Sequence, residues 1–129
     1  MAIRVLTNKR VQRRHLPVVT ISYRLRRLTL NKHAVALLVN EYGKIPEYGQ
    51  ILVDDEQGGI FWVRAAEADQ EGTHKFDAPS PNTRSLHIGN LLRELQWTLK
   101  DTARFELTWD KKVGGARVDT SKRLDHEKI

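Results

Sequence analysis

The chain has 129 residues, of which 40% are hydrophobic and 29% charged, so we expect a single folded domain rather than a disordered chain. It contains no cysteine, which excludes a disulfide scaffold, a thiolate metal site and a cysteine nucleophile. No apolar run approaches the roughly 18 residues of a membrane span, and the basic N-terminus lacks the apolar centre of a signal peptide. We therefore expect a cytoplasmic protein.

The net charge of +6 is unevenly distributed along the chain. The first acidic residue is Glu41, and nine of the 22 lysines and arginines precede it. The remainder of the chain holds 13 basic and 16 acidic side chains, a balance of −3. Such asymmetry indicates a polyanionic partner, although a solvated basic segment without any specific partner would carry the same charge.

The first segment of the chain has no regular hydrophobic period. Residues 1–15 are predicted to be a basic flexible arm, residues 16–121 a single α+β domain, and residues 122–129 a polar tail. No composition break divides the central part, so one domain is the simplest organisation.

The first regular elements are two short strands and a helix. Residues 17–24 are rich in β-branched and aromatic side chains that alternate, and 27–30 place two leucines on one face, so both predict strands. Asn31 has the character of a helix N-cap, because its side-chain oxygen can accept a free backbone N–H. Gly43 is suited to end that helix.

A hairpin is predicted next, with strands at 49–55 and 59–65. Both faces of these strands are apolar, which indicates cover on more than one side. Gly58 and Gly59 can supply the positive φ angles that a tight hairpin turn requires.

The second half repeats this order of elements. A strand is predicted at 74–78, a loop at 79–83, and a helix at 85–99 with Ser85 as its N-cap. Another hairpin follows, with one strand at 104–109 and its partner at 115–121.

The recurrence predicts two tandem β-α-β-β units, in residues 16–68 and 73–121, that form a pseudo-symmetric sheet or barrel with two helices. Asp54 and Asp110 lie 56 residues apart, each closes a first hairpin strand, and each is followed four residues later by a Gly-Gly pair. Coincidental recurrence of a common supersecondary unit is the alternative.

Residues 26–66 resemble the AbrB-type swapped-hairpin domains. Leu28, Thr29 and Leu30 stand at that family's short strand, while Asn31 and Lys32 stand where the family has proline and a charged residue. The helix and the acidic hairpin turn follow in the family's order. The resemblance implies a DNA-binding regulator that acts as a dimer through arginines near its first strands.

No motif in the sequence indicates catalysis. The five histidines are scattered and form no metal-binding pair at helical spacing, and there is no phosphate-binding loop or nucleophile elbow. Residues 54–59 are acidic but lack the pattern of a calcium loop, so an exposed turn is expected. We predict no catalytic residue, no metal and no cofactor, although an enzyme of unknown class is not excluded.

The basic N-terminal region therefore carries the functional prediction, which is a small nucleic-acid-binding module, regulatory or architectural, and more often DNA than RNA. Arginine suits phosphate because its planar guanidinium stays charged and forms paired hydrogen bonds. The predicted nucleic-acid contacts are Arg10, Arg13, Arg14, Arg24, Arg26, Arg27 and Lys32. The alternative is a protein-interaction or homo-oligomerisation module with no nucleic-acid role.

The three tryptophans have two possible roles, core packing or stacking on bases. Trp62, Trp97 and Trp109 each fall in a predicted regular element, where core packing is the first expectation. Aromatic side chains on a sheet can also stack unpaired bases.

Overall fold

The computed structural model describes residues 16–94 and 102–124. The strands of the first half and their helix are β1 (Val18–Ser22), β2 (Arg27–Leu30), α1 (Lys32–Tyr42), β3 (Tyr48–Val53) and β4 (Ile60–Ala66). The second half contains β5 (Thr73–Lys75), β6 (Asp77–Ser80), β7 (Thr83–His87), α2 (Gly89–Glu94), β8 (Thr102–Asp110) and β9 (Gly115–Arg123). The predicted arm at 1–15 lies outside the described residues, as do the end of the predicted second helix and most of the tail.

The nine strands form one antiparallel sheet in the order β5-β3-β4-β9-β8-β1-β2-β7-β6. The two strands at the edges of this sheet, β5 and β6, are consecutive in the chain and are separated only by Phe76. One bent segment thus pairs with β3 through its first part and with β7 through its second. The sheet is in this way nearly closed into a barrel.

A glycine permits the close approach at this closure. A Cβ atom on Gly49 in β3 would lie 2.6 Å from Cζ of Phe76 and 3.2 Å from Cδ1 of Leu86. Real carbon atoms do not pack at 2.6 Å, so only a residue without a side chain fits beneath the Phe76 ring.

The inside of the barrel is the hydrophobic core, as the alternating strand patterns predicted. Each of the strands β1, β2, β4, β8 and β9 directs its alternate apolar side chains inward, and both helices add to the same cluster. The fully buried larger side chains include Phe61, Phe105, Ile21, Leu28, Leu30, Leu38, Leu86 and Leu107. The described chain is therefore a β-rich α+β domain with two helices.

The strand directions give the barrel two distinct ends. The upper end carries the β1–β2 turn, the β3–β4 turn and the start of α2. The lower end carries the β6–β7 turn, the β8–β9 turn and the start of α1. This assignment follows from the register, in which Arg27 at the start of β2 pairs with His87 at the end of β7, and Ser22 pairs with Thr102.

The predicted caps of the first helix are confirmed. Asn31 Oδ1 accepts the Ala34 N–H at 2.8 Å and the Val18 N–H at 3.0 Å. Its Nδ2 donates to the Leu16 carbonyl at 3.0 Å, so one side chain joins the helix start to β1. Gly43 ends the helix in the left-handed region, with a φ of 96°.

The prediction that Ser85 caps the second helix is wrong. Ser85 lies in the middle of β7 and is fully buried. Leu86 and Ile88 are buried two residues apart, which is the strand period, and the helical spacing begins only with Leu91. The helix pattern therefore absorbed a strand, and α2 begins at Gly89 instead.

The predicted strand and loop before β7 also differ from the structure. The strand at 74–78 is divided at Phe76 into β5 and β6, and Pro79 and Ser80 belong to β6 rather than to a loop. Proline is tolerated there because β6 is an edge strand, which leaves one side of its backbone without a ladder partner.

Candidate nucleic-acid interface

The β1–β2 turn, Tyr23–Arg26, is the most exposed basic feature of the upper end. Leu25 is 64% exposed and Tyr23 37%, and both arginines of the turn are exposed as well. The Leu25 N–H donates to Ser22 Oγ, and the Arg26 N–H to the Tyr23 carbonyl. Arg26 has a φ of 53°, a conformation that few residues other than glycine adopt, so the turn holds it in a specific orientation.

Arg24 and Arg26 have no ion-pair partner among the described residues. No carboxylate oxygen of the side chains described in residues 16–93 and 102–124 lies within 4.0 Å of either guanidinium. Their charge is therefore available to an external anion in this part of the molecule.

Arg27, the next residue in the chain, has a different environment. Its Nη1 donates to Asp77 Oδ2 at 2.7 Å and to the Oγ of buried Ser85 at 3.0 Å. These contacts link β2, β6 and β7 on the outer face of the sheet. The Arg27 guanidinium is thus already neutralised, and it supplies the hydrogen bond that a buried hydroxyl requires.

The remaining predicted contacts are not gathered at this place. Lys32 is exposed at the start of α1, which puts it at the lower end, away from Arg24 and Arg26. Arg10, Arg13 and Arg14 lie outside the described residues. The structure thus brings only part of the predicted set to the upper end.

An open cleft of about 420 Å³ lies beside the β1–β2 turn. We call it the basic cleft, because four of its lining side chains are basic: Arg26, His74, His87 and Arg93. These residues come from the β1–β2 turn, β5, β7 and α2. No carboxylate belongs to the described lining.

Part of the lining of the basic cleft is apolar, and we call this part the apolar wall. It is formed by Ile51 and Val53 of β3 and by Leu91 of α2. Gly89 lies in the floor, where an added Cβ would be 3.5 Å from Cε1 of His87 and 4.0 Å from Cδ of Arg26. The His87 and Arg26 side chains therefore pass directly over a surface without a side chain.

Three of the cleft's polar residues, His74, His87 and Arg93, were not predicted as site residues. Each lies on a different element, and their proximity arises from the pairing of β7 with β2 and from the bend at Phe76. The only available signal was Arg93 on the polar side of the predicted second helix.

The acidic β3–β4 turn lies at the same upper end. Asp55 and Glu56 are exposed, and Asp54 Oδ1 accepts the Glu56 N–H at 2.9 Å, which stabilises the turn. The turn is hence an ordinary exposed hairpin connection, and residues 16–94 and 102–124 contain no cluster of three acidic or histidine side chains that could hold a metal ion. This acidic turn follows Val53, which lines the basic cleft, so its carboxylates lie near the cleft.

The resolved pKa shifts of the described groups fall on β9 and on the lower end. The Trp62 Nε1–H donates to Asp110 Oδ2 at 3.0 Å and, with the backbone N–H groups of Lys112 and Val113, lowers the pKa of that carboxyl below 3.8. The Ser121 hydroxyl and N–H lower the pKa of Asp119 in the same way. Trp62 is thus half-buried and bonded within the protein, Trp109 packs against the core, and Trp97 lies outside the described residues.

Comparison with known proteins gives no relative. No family model matches the chain, and no curated protein or solved structure is significantly similar to it. Neither described helix has the length and apolar character of a membrane span.

Proposed function

We propose that the protein binds nucleic acid through the upper end of its barrel, with Arg24, Arg26 and Arg93 as the phosphate contacts. The observation that carries the proposal is the exposure of Arg24 and Arg26 on one hydrogen-bonded turn without a carboxylate partner among the described side chains. Arg93 is exposed, lines the basic cleft together with Arg26, and has no ion pair with a described carboxylate. A regulatory or architectural role remains the proposal made from the sequence.

The physical basis is release of counterions from the nucleic acid. Each phosphate that an arginine neutralises releases condensed cations, so affinity depends steeply on salt and little on base sequence. The forty-residue segment without a carboxylate adds to this charge. Asp55 and Glu56 repel phosphate, which restricts the backbone to the side of the upper end that carries the arginines.

The proposal is tested by fluorescence anisotropy of labelled DNA at several salt concentrations. The triple variant Arg24→Ala/Arg26→Ala/Arg93→Ala should bind weakly, and its slope of log affinity against log salt should fall by about 2 to 3, since each lost duplex phosphate contact removes about 0.9. A matched control removes three exposed cations from the lower end: Lys32→Ala/Lys111→Ala/Lys112→Ala.

Two results would count against this function. If the wild-type chain binds no single-stranded or duplex nucleic acid at low salt, the proposal fails. If the control triple weakens binding as much as the upper-end triple, net charge alone accounts for binding and no located site exists.

We also propose that the fold consists of two tandem units. The chain orders of the two halves correspond, with β1-β2-α1-β3-β4 in the first half and β6-β7-α2-β8-β9 in the second. If each strand is replaced by its counterpart in the other half, the order of strands around the barrel stays the same but runs in the opposite direction. Asp54 and Asp110 each accept the N–H two residues later. With β5 and β6 counted as one bent strand, these features support a pseudo-dimer of two units, each with one strand followed by the predicted β-α-β-β order.

Self-association is a second candidate function, favoured by one observation. Tyr23, Leu25 and Val53, three of the four large hydrophobic side chains exposed in the described chain, are all at the upper end. Tyr23 and Leu25 belong to the basic turn and Val53 adjoins the acidic turn, so two copies can pair opposite charges beside a shared apolar contact. Light scattering after size exclusion tests this, because Leu25→Lys should convert a dimer to a monomer, and a monomeric wild type removes the candidate.

A further inference from the structure

We propose that the basic cleft holds one unpaired nucleotide of a single strand, with its phosphate on Arg26 and Arg93 and its base against the apolar wall. This inference rests on the proposed function and makes it more specific. It assigns the protein to ligands with accessible bases, namely single strands, loops and ends, rather than to continuous duplex.

The charge of the cleft selects an anionic group. Two guanidinium groups and two imidazoles line it, and no carboxylate belongs to its described lining. Arg26 and Arg93 approach from different elements, so a phosphate between them can receive hydrogen bonds from both sides.

The apolar wall selects a ligand that is more than a phosphate. Ile51, Val53 and Leu91 offer an apolar surface, whereas an inorganic anion would gain nothing from them. A nucleotide combines the two requirements, because a charged phosphate and a flat, weakly hydrated base are joined at a short distance. The cleft's size of about 420 Å³ lies in the lower part of the range for small-ligand sites.

The imidazoles provide a stacking surface for that base. His74 and His87 are both exposed at the cleft, and proteins that bind single strands stack bases on histidine and aromatic rings and on arginine planes. A base inside a duplex has its faces covered by its neighbours and cannot enter without being extruded. The cleft should therefore prefer unpaired nucleotides.

Gly89 provides a direct way to fill the cleft. Its φ is not in the left-handed region, and a Cβ there would meet only ordinary contacts with His87 and Arg26. A leucine at this position should fold normally while occupying the space above the floor. Gly58, in the β3–β4 turn, also lacks a positive φ and has no atom within 4 Å of an added Cβ, so Gly58→Leu is its matched control.

The experiment compares a labelled 12-nucleotide single strand, its duplex and the corresponding mononucleotide by anisotropy and competition. The wild-type chain should bind the single strand about tenfold more tightly than the duplex, as expected for one stacked base. Gly89→Leu should lower the ratio of single-strand to duplex affinity to about one, while Gly58→Leu should keep the wild-type ratio. His74→Ala/His87→Ala removes two exposed rings and should act like Gly89→Leu, which keeps the test decisive if the leucine variant does not fold.

The outcomes separate the two proposals. If no nucleic acid binds the wild-type chain, the proposed function fails and this inference with it. If single strand and duplex bind equally, or if neither cleft variant changes their ratio, the function stands and this inference is overturned. Competition by the mononucleotide at concentrations similar to those of the strand would also overturn it, because the cleft would then be a site for a free metabolite.

Discussion

The two ends of the barrel satisfy their polar groups in different ways. At the lower end, Arg84 Nη1 donates to the Thr83 carbonyl at 2.7 Å and reaches those of Ser80 and Pro81, so its charge closes the β6–β7 turn. Asp110 similarly binds the Trp62 indole and the N–H groups of its own turn. The Arg84 and Asp110 side chains at this end thus form their hydrogen bonds within the fold.

At the upper end the residues of the β1–β2 turn are exposed instead. Tyr23, Arg24 and Leu25 make few contacts through their side chains, although the turn backbone itself is well ordered by Ser22 and Tyr23. The comparison teaches that charge alone does not identify a binding surface. Arg84 and Arg27 support the fold, whereas Arg24 and Arg26 are available to a partner.

Replacing Asn31 by alanine is expected to give the largest effect, and the effect should be on stability. The change removes an N-cap and two further hydrogen bonds between α1, β1 and Leu16, so the free energy of unfolding should fall by about 3 kcal/mol. Urea denaturation measures this. Asn40→Ala, an exposed asparagine in the same helix, should change stability by less than about 0.5 kcal/mol. A loss below about 1 kcal/mol for Asn31→Ala would contradict the assignment of the lower end to stability.

Neighbouring arginines should differ in kind. Arg27→Ala leaves the Ser85 hydroxyl buried without its donor and should reduce the free energy of unfolding by about 1 to 2 kcal/mol. Arg24→Ala should leave stability unchanged to within about 0.5 kcal/mol and weaken nucleic-acid binding. Thermal unfolding measures the stability of both variants. A double-mutant cycle of Arg27→Ala and Ser85→Ala then measures the coupling between the two side chains, and zero coupling would contradict the assigned contact.

Neutralising the acidic turn should have a smaller effect, on binding only. Asp55→Asn/Glu56→Gln removes two exposed negative charges near the basic cleft and should raise affinity about two- to threefold at low salt, with the gain lost at high salt. Glu47→Gln/Glu106→Gln removes two exposed carboxylates at the lower end and is the control. Equal gains in the two variants would indicate a general charge effect rather than a local one.

The smallest expected effect is the loss of stability at low pH that depends on Asp110. The pKa of Asp110 is lowered by the Trp62 indole N–H, so its ionised form is favoured by folding. Its stabilisation is therefore fully present above the unfolded value near 3.8 and is lost as pH falls through the lower folded pKa. Between pH 5 and 2.5, the free energy of unfolding should decline more for the wild type than for Asp110→Asn. Parallel curves would show that the contact has no pH-dependent role.

Features set by local chemistry were predictable from the sequence. The Asn31 cap, the Gly43 cap and both long hairpins depend on residues a few positions apart, and their turn and capping signals identify them. Ser85 was misassigned because β7 and α2 are adjacent and the strand's leucine and isoleucine fit a helical stripe as well as a strand.

Features set by distant pairing were not predictable. Asp77 neutralises Arg27 from fifty positions along the chain, so the local absence of carboxylates could not indicate which arginines are free. The basic cleft likewise needs the β2–β7 register and the bend at Phe76 to bring His74 to Arg26. A single sequence contains no signal for the β2–β7 register or for the bend at Phe76.

The closure at Phe76 also determines where the molecule can open without unfolding. β5 pairs with β3 through Thr73, His74 and Lys75, and the next residue, Phe76, adds one hydrogen bond to the Glu47 carbonyl. We expect a short, exposed ladder of this kind to separate at a smaller free energy than global unfolding. Such an opening would carry His74 away from the basic cleft and leave the rest of the barrel intact. A ligand in the cleft would hold β5 in place, so occupancy of the site and slowed amide hydrogen exchange in this one strand are two readings of the same equilibrium.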